Sequence, residues 1–424
     1  MPIVYVHGVA TRDQASFPEI DSYLRRYVAP GLSREPATVP ILHSYWGDVA
    51  AHFAYGGASR PRSVLLGQGA GGDAPVDLAL LASLAGQRWP AETLAPVPAP
   101  AAFTSGRAAG GDATPVVRLR GLTDDALSDL LVAFAYQSTV DPALRTLRAM
   151  AADDTAHDRV VRQALQAAPD AAAERQLLLV ALRQRVAQDS ADALVGMGGG
   201  PGWLARFGDG LGEALSRSAS APGAVASLVA GELRKGLNDF ITSFFGDVFV
   251  YLGRREEADG SPGPIQQIFL DSLRAARAEQ QRRDGEPLLV LSHSMGGQVV
   301  YDAMTWFVPR DPGLRDLRVD LWCATASQVG LFEELRLFKC DTPRDLPNVA
   351  KPFPSAHVGA WWNVWDPNDF ISYSVLGIIE GVDDGPYVSG MSLAGAHSGY
   401  LQRPTFYRLL RTRLDKALRA LEST

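Results

Sequence analysis

Residues 288–304 constrain the fold of this chain most. Leu288-Leu289-Val290-Leu291 is an unbroken apolar run, the pattern of a strand buried on both faces. Ser292-His293-Ser294-Met295-Gly296-Gly297 follows, and Val299, Val300 and Met304 then recur at helical spacing. A strand that turns sharply into a helix brings two backbones close together, and small residues at 292 and 296 permit that approach. The apex residue, Ser294, is expected in a strained backbone conformation that lifts its hydroxyl out of the sheet. This is the strand–turn–helix setting of a nucleophile elbow, with Ser292 where the pattern commonly has Gly.

Other apolar segments alternate with helical patterns. Residues 2–6, 38–46, 318–325 and 357–365 read as strands, and 17–29, 263–282 and 404–421 read as helices. This alternation predicts an α/β fold with a mostly parallel, doubly wound sheet. Between the second strand and Asp247–Leu252, which leads back towards the core, the composition changes. Residues 56–118 are rich in Gly, Ala and Pro, residues 123–190 carry helical leucine patterns such as Leu127, Leu130, Leu131 and Phe134, and Gly198–Gly202 forms a break. The segment 222–246 is again helical and apolar. The expected organisation is a core of residues 1–56 and 245–424, with a mainly helical insertion at 57–244. The run Gly67–Gly72 lacks the Gly-Lys-Ser/Thr of a phosphate loop and reads as an ordinary loop.

Composition excludes some functions. The net charge of −7, from 40 Lys+Arg against 47 Asp+Glu, gives no general basic surface, so no nucleic acid is expected as a partner. The two cysteines, Cys323 and Cys340, read as free thiols in a reducing compartment. No Cys/His spacing resembles a zinc site. With no signal-peptide pattern and no apolar run of spanning length, the expected location is cytoplasmic, with signal-less export as an alternative.

A serine hydroxyl needs a base within hydrogen-bond reach, and the base needs an orienting acid. In chain order after Ser294, the segment Trp365-Asp366-Pro367-Asn368-Asp369 offers two acids. Asp369 is preferred, because Asp366-Pro367-Asn368 reads as turn initiation. His397 is the only histidine after Asp369 and is expected in a loop before the last helix. Two backbone amides are needed for a developing oxyanion: Met295, directly after the serine, and Val9, in the loop after the first strand. Gly8 lets that loop approach closely, His7 braces it, and His293 packs beside the site. His43, His52, His157 and His357 are expected to be structural or exposed.

With these residues in place, the chain resembles the α/β-hydrolase superfamily, in particular its serine lipase and esterase branch. The carriers are His7-Gly8-Val9, the 292–297 turn, Asp369 and His397. The stretch Asn363–Asp369 and the segment Gly246-Asp247-Val248 with Tyr251 are similar to intracellular phospholipases of the DDHD type. His397-Ser398-Gly399-Tyr400 is similar to the His-x-x-Tyr around a lipase base. The resemblance implies hydrolysis of an acyl ester, a lipid ester foremost, through an acyl-enzyme without a cofactor. It implies a cap or lid role for the insertion, with peripheral membrane contact through it. A soluble short-chain esterase or thioesterase, and a catalytically silent scaffold, stand as alternatives. Oligomeric state is not legible.

Overall fold

The computed structural model describes residues 2–54, 118–138, 142–189, 241–283, 286–340, 350–389 and 393–422. Their strands are β1 Ile3–Val6, β2 Ile41–Ser44, β3 Leu289–His293, β4 Val319–Thr325, β5 Val358–Trp365 and β6 Asp383–Pro386. They form one six-stranded sheet in the order β2-β1-β3-β4-β5-β6, parallel throughout.

Side chains on successive strand positions point to opposite faces, so one register explains both cores. Val4, Val290, Trp322 and Trp361 line up across β1, β3, β4 and β5. They share one apolar core with Phe269 and Leu273 of the helix Pro264–Arg282 and with Val299 and Val300 of the helix Gly296–Asp302. Within it Trp322 stacks on Trp361 with ring centroids 4.1 Å apart. The next row, Tyr5, Leu291, Cys323 and Trp362, lines up in the same way and serves the other face. There Tyr5 meets Phe17 of the helix Phe17–Tyr23 edge-on at 5.7 Å. Trp362 stacks on Phe406 of the helix Pro404–Glu422 at 5.6 Å. Helices on both faces of a parallel sheet make the fold doubly wound α/β. Each large side chain fully buried in this way contributes about 1.5–3 kcal/mol.

The strand order reverses at β1, which has β2 on one side and β3 on the other. In open parallel sheets the crevice at such a switch point, outside the carboxyl ends of the strands, is where ligands bind. The two loops that leave this point begin at His7 and Ser294.

By compactness the chain divides into two units. The first, Met1–Gly57, Asp141–Met150 and Phe240–Thr424, contains the whole sheet. The second, Ala58–Val140 and Ala151–Asp239, is helical over most of its described length, with Asp124–Ser138, Arg159–Ala167 and Ala171–Asp189. Asp158 caps the helix Arg159–Ala167 by accepting from the Val160 and Val161 amides at 2.8 and 3.2 Å. Leu127, Leu131, Leu178 and Leu182, read from sequence as apolar helix faces, are buried. Residues Gly67–Gly72, Gly198–Gly202 and 222–240 lie outside the described residues, and with them most of the predicted cap. Residues 241–254 form a helix whose Val248 and Tyr251 enter the sheet-side core.

Candidate active site

Ser294 follows the last residue of β3 and has φ 54°, in the left-handed region. A non-glycine residue there costs on the order of 1–3 kcal/mol and persists only when its surroundings hold it. Its amide donates to the Thr325 carbonyl at the end of β4 (2.8 Å), and its carbonyl accepts from Gly297 (2.9 Å). The helix Gly296–Asp302 then starts at once. A Cβ on residue 296 would stand 2.5 Å from the Val6 carbonyl oxygen, which explains the glycine. A Cβ on Gly8 would stand 2.6 Å from Ser294 Cβ, so glycine at 8 brings the β1 loop against the nucleophile position.

Asp369 and His397 are paired. The Asp369 Oδ2 and Oδ1 atoms lie 2.9 and 3.1 Å from His397 Nδ1. A carboxylate only accepts, so His397 Nδ1 donates to Asp369. Asp369 is almost fully buried and also accepts from the Ile371 amide at 3.2 Å and from the Tyr400 hydroxyl at 3.4 Å. Asp366 is used otherwise. Its carboxylate accepts from the Asn368 and Ser389 amides at 2.8 and 2.7 Å, and its own amide donates to the Tyr400 hydroxyl. The structure therefore sets Asp369 on the histidine and makes Asp366 the frame of the turn.

His397 differs from expectation in one respect. It sits in a short helix, Leu393–Gly399, and not in a loop. The helix places Tyr400 one turn further on, where its hydroxyl accepts from the Asp366 amide and donates to the Asp369 carboxylate. The Ser294 hydroxyl is buried and makes no hydrogen bond among the described residues. The acid and the histidine are thus paired, and Ser294 is not hydrogen-bonded to His397.

The loop after β1 is held from three sides. His7 Nε2 accepts from the Trp46 amide at 2.9 Å, Nδ1 donates to the Gly8 carbonyl at 2.7 Å, and the ring stacks on Trp46 at 4.5 Å. Burial lowers the His7 pKa to about 4, so the ring is neutral and acts as a brace. Asp247, fully buried, is a residue that sequence reasoning gave no role. It accepts from the Ala10 amide (2.8 Å), from the Ala51 amide (3.0 Å) and from both terminal nitrogens of Arg12 (3.1 and 2.6 Å). The Ala10 amide is thereby committed. Among the described residues the Val9 and Met295 amides donate to no backbone carbonyl in a turn, loop or cap.

His293 is buried, and its Nε2 donates to the His397 carbonyl at 2.7 Å. Burial first, and the nearby His397 second, lower its pKa to about 3, so it too is neutral. Gln328 was also missed. It accepts from Gln298 at 2.7 Å and donates to the Ile371 carbonyl at 2.6 Å, tying the helix after Ser294 to the acid loop. The remaining histidines have local partners: His43 meets Asp21, His157 meets Asp125, His52 meets the Asp48 carbonyl and His357 the Leu317 carbonyl.

A cavity of about 290 Å³ opens beside the site and is lined in part by Val9, His293 and His397. Among the described residues no group of three or more His, Cys, Asp or Glu is placed to hold a metal ion, and no helix is long and apolar enough to cross a membrane. Both cysteines are free thiols. No family model, curated protein or solved structure matches the chain.

Proposed function

We propose that the protein is a serine hydrolase of the α/β-hydrolase type that cleaves carboxylic esters, lipid esters foremost. The observation that carries this reading is the pairing of Asp369 with His397 near a serine held at φ 54° between a parallel strand and a helix. A strained serine at a strand–helix turn and a histidine held by a buried acid are together what a Ser–His–Asp arrangement requires.

In this reading His397 Nε2 takes the Ser294 proton as Oγ attacks the ester carbonyl carbon. The carbonyl oxygen becomes an oxyanion facing the Met295 and Val9 amides. Collapse breaks the bond to the alcohol, which leaves with the proton from His397, and Ser294 keeps the acyl group. Water, deprotonated by the same nitrogen, then releases the acid and restores the serine. The steps need no metal and no organic cofactor.

The test is covalent labelling by a fluorophosphonate together with turnover of acyl esters. Ser294→Ala is expected to lose both and to keep its thermal unfolding temperature. Wild-type protein that is folded yet neither labelled nor active on any ester would point to the scaffold alternative.

A further inference from the structure

One helical turn grips Asp369 twice. His397 Nδ1 lies 2.9 Å from its Oδ2 atom, and the hydroxyl of Tyr400, three residues on, reaches the same oxygen at 3.4 Å. Residues three apart share a helix face, and the helix Leu393–Gly399 passes directly into the turn Tyr400–Gln402. Histidine and tyrosine therefore come to the acid as one piece. Among the described residues the Asp369 carboxylate has one further donor, the Ile371 amide at 3.2 Å, which belongs to its own loop. Resting on the hydrolase reading, we infer that Tyr400 is a positioning residue: its hydroxyl holds the Asp369 carboxylate against His397 while the histidine exchanges protons with serine and substrate.

The direction of the bonds points this way. The Asp366 amide can only donate, so the Tyr400 oxygen accepts from it, and the single phenolic hydrogen is left to be given away. Of the side chains within its reach, the Asp369 carboxylate is a stronger acceptor than the Ser372 hydroxyl. The hydroxyl also keeps that hydrogen, because burial first, and the Asp369 charge second, raise the phenol well above its ordinary range. The tyrosine itself is anchored. It is fully buried, and its ring lies 6.1 Å from that of Tyr387. Its other partner, Asp366, accepts from the Ser389 amide at 2.7 Å, and the Ser389 carbonyl accepts from buried Arg403 at 2.8 Å. The terminal torsion of an aspartate is broad, so a donor on Oδ2 that is tied to this frame narrows it towards the geometry the histidine needs.

The test sets two neighbouring buried tyrosines against each other in the full-length chain. Tyr387 shares a hydrogen bond with the Thr405 hydroxyl at 2.6 Å and bonds to neither acid among the described residues. Tyr387→Phe therefore reads what the loss of a buried hydroxyl does by itself. Tyr400→Phe is expected to lower kcat for ester turnover about tenfold with KM within about twofold, while Tyr387→Phe keeps kcat within about twofold. Proton NMR with labelled histidine rings follows the His397 Nδ1–H directly. Its exchange with water is expected to be at least about tenfold faster in Tyr400→Phe and unchanged in Tyr387→Phe. Should Tyr400→Phe not fold, 4-fluorophenylalanine at position 400 fills the same space without a proton to donate and gives the same two readouts. The inference is overturned if kcat or proton exchange in the position-400 variant matches wild type, or if Tyr387→Phe loses as much in both. The exchange measurement needs no turnover, which separates the two levels. Wild type with neither fluorophosphonate labelling nor ester cleavage overturns the hydrolase reading, and the exchange rates alone decide whether Tyr400 holds the pair.

Discussion

His293 Nε2 donates a 2.7 Å hydrogen bond to the backbone carbonyl of His397. The residue directly before the candidate nucleophile thus fixes the main chain of the candidate base, and the two rings lie 4.9 Å apart. Strand β3 and the Leu393–Gly399 helix are thereby registered to each other beside Ser294.

On the proposed mechanism His293 is a positioning residue. His293→Leu keeps the volume and removes one donor to the His397 carbonyl, a loss of about 0.5–1.5 kcal/mol. The expected result is a fall in kcat of about tenfold with KM little changed, since the interaction serves the transition state. His293→Gln, whose amide can donate from a similar reach, is expected to recover most of the rate. A purely structural role would be seen instead as equal loss in both variants, tracking thermal stability.

Asp369 and Asp366 stand three residues apart and are expected to fail differently. Asp369→Asn removes the charge that holds Nδ1–H of His397, and turnover is expected to fall by about 10⁴-fold with the fold intact. Asp366→Asn weakens the acceptors for the Asn368 and Ser389 amides, and is expected to cost about 1–3 kcal/mol of stability in urea unfolding. A larger catalytic loss at 366 than at 369 would reverse the assignment.

Asp247 acts at a distance from the reacting atoms. Asp247→Asn replaces one of two accepting oxygens with an NH2 group that cannot receive the backbone and guanidinium donors. The β1 loop, and Val9 with it, should loosen. Steady-state kinetics are expected to show a loss in kcat of about 10²-fold, comparable to removal of one oxyanion donor, with a smaller change in KM. Unchanged kcat would separate the loop from the oxyanion site.

His7 supplies a pH signature. Its folded pKa of about 4 lies below the unfolded value of 6.5, so the unfolded state binds more protons between these values. The stability contributed by His7 is therefore complete above pH about 6.5 and is lost as the pH falls to about 4. The gap in unfolding free energy between wild type and His7→Gln is expected to shrink over that window, by on the order of 3 kcal/mol. Urea titrations of both proteins at pH 7 and pH 4 measure it; a constant gap would mean that His7 is protonated in the native state.

The parts of the fold that could be read from sequence are those where one local pattern decides the outcome. Leu289–His293 is buried throughout and Val358–Trp365 over most of its length, so their apolar runs announce strands. Strand β6 was not legible. Asp383–Pro386 is short, acidic and rich in turn residues. It holds its place through partners far along the chain: the Asp384 carboxylate accepts from Asn363 at 2.6 Å, Trp365 at 3.1 Å and Ser374 at 2.6 Å. The choice of Asp369 over Asp366 was open to turn chemistry, because Asp-Pro-Asn commits the first acid to its own turn. The roles of Asp247 and Gln328 were not, since each joins loops that only the folded sheet brings together. The short helix around His397 was missed because Gly395 and Gly399 disguise it as a loop.

Ser292, which occupies the position where the elbow pattern commonly has glycine, accepts from the indole nitrogen of Trp322 at 2.9 Å, and both side chains are fully buried. Trp322 is also half of the tryptophan stack at the centre of the sheet. Exchange of Ser292 for the commoner glycine strands an indole N–H in a dry core, while exchange of Trp322 alone opens a void beneath the nucleophile turn. Positions 292 and 322 are therefore energetically coupled: a glycine at 292 is tolerated only if the residue at 322 changes with it.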